Sequence, residues 1–137
     1  MEIHRHKGLV YYSFEILSPY PHLKHGVFTR KAPAKLGGDL TFAFRPNLPV
    51  ARVLTSLSLA QKALGLGPPA MVKQTHGTAI YLHDHNAPAY QPQSPDELLV
   101  GYDALVSEPK SSLLIKLADC QGILLFHPPS KVLALVH

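Results

Sequence analysis

Residues 113–137 read LLIKLADCQGILLFHPPSKVLALVH, and this stretch contains three apolar runs separated by two short breaks. Each run has the length and aliphatic content of a buried strand. The breaks at 118–120 and at 128–130 are typical of turns. If the second and third runs pair antiparallel, their outer ends bring Cys120 beside His137. The sequence therefore predicts that a thiol and an imidazole meet at one edge of a sheet.

A second histidine stands in a similar context earlier in the chain. His76 follows the apolar residues 70–72 and precedes Gly77, so we predict that it lies where a short strand runs into a glycine turn. Zinc accepts two imidazoles and a thiolate, and three protein ligands with a fourth position open are the arrangement of catalytic zinc. His76, Cys120 and His137 are therefore candidates both as metal ligands and as catalytic residues.

Other roles are open for the same three residues. A single cysteine beside aliphatic strands is commonly a small buried hydrophobe, and a histidine before glycine is commonly a turn residue. By default, His137 would be frayed and exposed to solvent. Without a metal, Cys120 and His76 can form the thiol–imidazole pair that cysteine nucleophiles use. Copper also accepts two histidines and a cysteine, so the spacing alone does not choose among these interpretations.

The rest of the chain predicts one helix and several short strands. Apolar residues at helical spacing indicate a helix over 49–64, which ends before a segment rich in glycine and proline. Alternating and aliphatic patterns predict strands at 8–17, 25–29, 70–75 and 79–83, with loops at 31–46 and 86–96.

Composition limits the classes of function. The 137 residues carry a net charge of +4, but the lysines and arginines are scattered, which argues against a nucleic-acid partner. One cysteine excludes an internal disulfide and fits a reducing compartment. No apolar run of about 18 residues occurs, and the first residues lack a secretory pattern, so we expect a cytoplasmic protein with no membrane partner.

Four motifs, in order, resemble the laccase-domain family, also called the YfiH-type or multicopper polyphenol oxidase-like family of purine nucleoside enzymes. They are QTHG at 74–77, YDALV at 102–106, LADC at 117–120 and LALVH at 133–137. The less specific segment HGVFTR at 25–30 resembles the first strand of that family. The resemblance implies an α/β (α+β) fold, built as a layered sandwich of mixed sheets.

The family also implies a zinc ion held by His76, Cys120 and His137. The activities it implies are phosphorolysis of adenosine, inosine, guanosine or methylthioadenosine, and deamination of adenosine. Purine nucleoside and phosphate are then the expected partners. A copper-dependent oxidation of polyphenols is the alternative that older descriptions of related proteins suggest.

Four further residues are candidates for contacts with the substrates. The guanidinium of Arg30 suits phosphate, and the resemblance favours that role over a solvated strand end. Gln74 is a candidate for the purine edge or the ribose. Asp103 and Asp119 are candidates for binding ribose hydroxyls. They are equally candidates for orienting a histidine, because metal-binding imidazoles usually donate their other N–H to a carboxylate or carbonyl.

The sequence also departs from the family pattern. Members normally continue after the last histidine with Ala-Gly-Trp-Arg-Gly and roughly a hundred further residues, so residues 1–137 are expected to form a single partial domain. The alternative hypothesis is an inactive fragment or interaction module that self-associates through uncovered strands. The loop after Arg30 also lacks the family's Gly-Gly-x-Ser turn.

Overall fold

The computed structural model describes residues 1–84 and 92–137. Within them the chain divides into two units, Met1–Leu66 and Gly67–His137. The prediction of one partial domain over 1–137 stays a prediction. Most of the predicted loop at 86–96 lies outside the described residues, and its last part holds a 3-10 helix at Pro95–Glu97.

The first unit contains a three-stranded antiparallel sheet. Its strands are β1 (Glu2–His6), β2 (Leu9–Ser13) and β3 (Val27–Phe28), in that order. Lys7 and Gly8 join β1 to β2 with φ angles of 46° and 87°, the backbone that a two-residue hairpin turn requires. The strand predicted over 8–17 is therefore wrong at both ends, because Gly8 belongs to this turn and Glu15–Leu17 form a 3-10 helix.

The predicted helix is confirmed as α1, Val50–Leu64. Its buried residues recur every three or four positions, which places them on one face of the helix; they are Val53, Ser56, Leu57 and Ala60. Gly65 ends the helix in the left-handed conformation, with φ 66°, as is common where a glycine follows a last helical turn. A 3-10 helix, Ala34–Leu36, interrupts the predicted loop at 31–46.

The second unit contains two sheets. Its strands are β4 (Val72–Lys73), β5 (Ala79–His83), β6 (Leu99–Val100), β7 (Tyr102–Ser107), β8 (Ile123–His127) and β9 (Val132–Val136). Strands β4 and β6 pair in parallel, and the larger sheet has the order β5-β7-β9-β8. In that sheet β5 runs parallel to β7, whereas β9 runs antiparallel to both of its neighbours. The predicted α+β class with mixed sheets is confirmed.

The antiparallel pairing predicted for the last two apolar runs is also confirmed. Ile123 pairs with Val136, so the start of β8 lies beside the end of β9. The strand predicted for the first run is wrong, because Leu113 forms only an isolated bridge with Ala70 and residues 114–119 lie outside any strand. The strand predicted at 70–75 is shortened to β4.

Strand β7 is the buried strand of the second unit. Leu105 is fully buried, and Asp103, Ala104 and Ser107 are each less than one-tenth exposed. A strand with β5 on one side and β9 on the other, and with side chains buried on both faces, is a rigid element. It therefore provides a fixed base for the carboxylate of Asp103. No helix in the described part of the chain is both long and apolar enough to cross a membrane.

Candidate metal centre

Three donor side chains converge in the second unit. His76 lies in a bend after β4, Cys120 lies in the bend at 118–120 that precedes β8, and His137 directly follows β9. One ligand atom from each residue lies within 4.8 Å of the others. The rings of His76 and His137 are 5.0 Å apart and inclined by 62°. The structure thus brings together two imidazoles and a thiol that are widely separated in sequence.

The carboxylate of Asp103 connects the two histidines. Its Oδ1 lies 2.8 Å from Nδ1 of His137. Its Oδ2 accepts the backbone N–H groups of Thr75 and Gly77, at 2.9 and 2.8 Å, and the hydroxyl of Thr75 at 3.3 Å. The backbone C=O of Asp103 also accepts the N–H of His137 at 2.8 Å. One buried residue therefore holds both the loop that carries His76 and the side chain of His137.

These contacts keep Asp103 ionised. Burial alone would raise the pKa of its carboxyl, but hydrogen bonds from Gly77, His137, Thr75 and His76 outweigh burial and hold the pKa well below its usual range. An ionised carboxylate only accepts hydrogen bonds, so Nδ1 of His137 carries the proton. The Nε2 atom of a neutral His137 imidazole is then free to bind a metal.

His137 is not frayed. Its side chain is only 8% exposed, because a backbone hydrogen bond and a side-chain hydrogen bond both tie it to Asp103. The default expectation of an exposed residue at position 137 is therefore wrong. His76 and Cys120 are exposed, so the trio has one inner donor that Asp103 holds in place and two outer donors that solvent reaches.

The backbone of His76 is held in an unusual conformation. Its φ angle is 60°, in the left-handed region that residues other than glycine rarely adopt. The hydrogen bonds from Thr75 and Gly77 to Asp103 flank His76 on both sides and hold the loop in this shape. Unusual backbone geometry that its surroundings maintain is common at functional sites.

Sequence reasoning missed Lys116. Its Nζ donates to the C=O of Val72 at 2.6 Å, and its backbone pairs with the side chain of Gln74. Burial lowers the pKa of its ammonium group, although the charge of Asp103 opposes the shift. The signal available in the sequence was one lysine inside the apolar run 113–117, a position where an unpaired charge is costly.

The structure places the predicted substrate-binding residues in different surroundings. Arg30 belongs to the first unit, where its exposed Nε donates to Asp39 Oδ1 at 3.0 Å. Gln74 and Asp103 lie beside the trio and use their polar atoms in the contacts just described. Asp119 is exposed in the bend that carries Cys120. Substrate binding by these four residues stays a prediction.

The donor set suits a metal ion. Two atoms bonded to one zinc ion at about 2.0–2.3 Å each lie at most about 4.6 Å apart, so donors within 4.8 Å of one another reach a shared ion by a small movement of the two exposed side chains. A carboxylate behind a metal-binding imidazole is the usual outer contact of such sites. The same donors also suit copper. In residues 1–84 and 92–137, this is the one group of three or more histidine, cysteine or acidic residues with such spacing.

Comparison with known proteins identifies the family. Residues 25–137 match the family described as multi-copper polyphenol oxidoreductase laccase, and the chain belongs to that family. A curated relative, the purine nucleoside phosphorylase of Bacteroides thetaiotaomicron, is 29% identical over 129 residues, which are 90% of this chain and 48% of that protein. The chain thus spans about half the length of this relative. No solved structure matches it.

Proposed function

We propose that this chain carries the metal and nucleoside site of an enzyme that acts on purine nucleosides. The observation that carries the proposal is the convergence of His76, Cys120 and His137, with Asp103 hydrogen-bonded to His137. The family match and the name of the Bacteroides relative support it. The proposed reactions are phosphorolysis of purine nucleosides and deamination of adenosine, in the cytoplasm.

The three donors would hold zinc. When bound, the ion supplies Lewis acidity to whatever group occupies its open position. His137 presents one nitrogen inward, because Asp103 fixes both its tautomer and its ring. His76 and Cys120 complete the site from the solvent side, which leaves an approach for a nucleoside.

The proposed reactions also need polar groups near the trio that stabilise developing charge. In phosphorolysis, a phosphate oxygen forms a bond to the anomeric carbon, while the bond to the purine breaks and the base leaves with its electrons and gains a proton. Cationic groups favour that change because negative charge moves onto the purine. Lys116 is a candidate for this support within the second unit, and Arg30 remains the candidate for phosphate.

Product analysis tests the proposal. The purified chain is incubated with adenosine, with and without phosphate, and the products are separated by chromatography. We expect adenine and ribose phosphate only when phosphate is present, and inosine in both conditions. His76→Ala should abolish both products, whereas His127→Ala, at another exposed histidine of the same unit, should not. Absence of both products from the unmodified chain would refute the activity.

Copper is the second candidate for the metal, because the family is described as a multi-copper one and the donors suit it. In the described part of the chain, one group of three donors is fewer than several copper ions need, which makes zinc the preferred assignment. Oxygen consumption by the copper-loaded chain with a phenol distinguishes the two. Uptake that His76→Ala removes would favour the oxidase.

A third candidate is an interaction module. Paired residues of neighbouring strands share a face of the sheet. On one face of the larger sheet, two rows of paired residues that cross all four strands are wholly apolar. The first row is Ile80, Ala104, Val136 and Ile123, and the second is Leu82, Val106, Ala134 and Leu125. The outer members of both rows are at least half exposed. Exposed apolar area of this kind favours association, here with a second copy of the chain.

Sedimentation at increasing concentration tests this alternative. Self-association through the face predicts a shift towards dimers that Leu82→Ser combined with Leu125→Ser abolishes. Ile16→Ser serves as the control, since Ile16 is an apolar residue of the first unit that is even more exposed than Leu82 and Leu125. A monomer at every concentration would exclude the interaction.

A further inference from the structure

The side chain of Gln74 forms two hydrogen bonds with one peptide segment. Its Nε2 donates to the C=O of Lys116 at 2.8 Å, and its Oε1 accepts the N–H of Lys116, also at 2.8 Å. An amide side chain offers the same donor and acceptor as a peptide group. The side chain of Gln74 therefore takes the place of one peptide group in a β-ladder. We call its pair of hydrogen bonds with Lys116 the rung.

This rung extends a short parallel pairing. The N–H of Ala70 donates to the C=O of Ser112 at 2.8 Å, and the C=O of Ala70 accepts the N–H of Leu114 at 3.0 Å. The Lys116 ammonium adds a bond to the C=O of Val72. The segment 112–116 is thus tied along 70–74, and it then continues into the bend that carries Cys120.

The two ends of the rung each lead to a proposed ligand. His76 lies two residues after Gln74, and Cys120 lies four residues after Lys116. Asp103 holds the loop of His76 and the side chain of His137, but Cys120 belongs to the other segment. Two different residues therefore order the trio. Asp103 holds the two imidazoles, whereas Gln74 ties the segment that carries Cys120 to the segment that carries His76.

We propose that Gln74 is a positioning residue that sets the distance of the Cys120 thiol from the two imidazoles, which differs from the purine contact expected from the sequence. This inference rests on the proposed metal site and deepens it. Loss of the rung should release the bend at 118–120 while Asp103 keeps both histidines in place. The specific consequence is a metal that retains its nitrogen ligands but loses its sulfur ligand.

Cobalt(II) titration of the purified chain tests the inference, because cobalt reports a thiolate ligand through a charge-transfer absorption band. Gln74→Met keeps the approximate shape of the side chain and removes both hydrogen bonds. We expect binding 10- to 100-fold weaker, about the range for outer contacts of metal ligands, with the thiolate band lost and the ligand-field bands of the histidine-bound metal retained. Gln121→Met, the same change beside Cys120 at an exposed position, should bind cobalt as the unmodified chain does.

A purely structural role for Gln74 predicts another result. The variant would then unfold at a lower urea concentration, yet it would bind cobalt with unchanged affinity and an unchanged thiolate band, and that outcome would overturn the inference. If the unmodified chain bound no cobalt, the metal site itself would be refuted and the inference with it.

A second variant covers the case in which Gln74→Met does not fold. Gln74→Glu keeps the acceptor for the Lys116 N–H and removes only the donor to the Lys116 C=O. Its cobalt affinity and thiolate band should fall between those of the unmodified chain and complete loss. Values equal to the unmodified chain would count against the positioning role.

Discussion

At the scale of single residues, the centre depends on one buried carboxylate. Asp103 lies 26 residues from Gly77 and 34 from His137 along the chain, yet it contacts both. The sequence identified Asp103 as a candidate for orienting a histidine, and the geometry favours that role over a ribose contact. Which histidine it would meet could not be predicted, since the contact depends on the register of β7 against β9.

The backbone of His76 leads to a prediction about stability. At a φ of 60°, a side chain with a Cβ atom costs about 1–2 kcal/mol compared with glycine. His76→Gly should therefore be about 1 kcal/mol more stable to urea than His76→Ala, although both lose the imidazole. Equal stability of the two variants would show that the loop does not adopt this conformation in solution.

The partly buried ammonium of Lys116 leads to a prediction about pH. Its pKa in the folded chain is lowered from 10.5, so between the two values the unfolded state binds more protons and stability rises with pH. Below the folded pKa, both states are protonated and the cost of burying the charge is constant. Lys116→Met removes this rise in stability with pH. We therefore expect a difference in the free energy of unfolding, variant minus unmodified chain, that falls as pH increases through the alkaline range.

Urea unfolding at about pH 8 and at about pH 11 measures that difference. Lys73→Met, at an exposed lysine of β4, is the matched control and should follow the unmodified chain. Parallel pH profiles for Lys116→Met and the unmodified chain would mean that the Lys116 ammonium is solvated.

At the scale of elements, apolar pattern and turn chemistry predicted most of the pieces. Helix α1 and the β8–β9 pair follow from periodicity and from the Pro-Pro-Ser break, both of which are local signals. The first hairpin was missed because β1 is mainly polar and its turn is marked only by Lys7 and Gly8. The segment 113–119 has the apolar pattern of a strand, but the side chain of Gln74 takes the place of part of its backbone pairing.

Strand β7 should be the most sensitive element of the second unit. Leu105 is fully buried there, so Leu105→Ala removes buried methyl groups and leaves a cavity, at a cost of about 2–5 kcal/mol. Leu125→Ala, at a residue of β8 that is 56% exposed, should cost less than about 1 kcal/mol. Urea unfolding compares the two, and similar losses would contradict the central place of β7.

At the scale of the whole chain, the two units differ in what they contribute to the candidate site. Every donor of the trio and both groups that order it, Asp103 and Gln74, belong to residues 67–137. The order of the motifs predicted this grouping through the family resemblance. From the residues alone, only the meeting of Cys120 with His137 was predicted. The approach of His76 was not, because it depends on sheet order and on the parallel pairing of 70–74 with 112–116.

The candidate metal centre requires two imidazoles and one thiol to hold a single metal ion. Its most direct test is the zinc content of the purified chain after loading and removal of free metal, measured beside Cys120→Ser and His137→Ala. We expect one zinc ion per unmodified chain and a clear loss of zinc in both variants. Zinc retained equally by all three proteins, or by none of them, would contradict it.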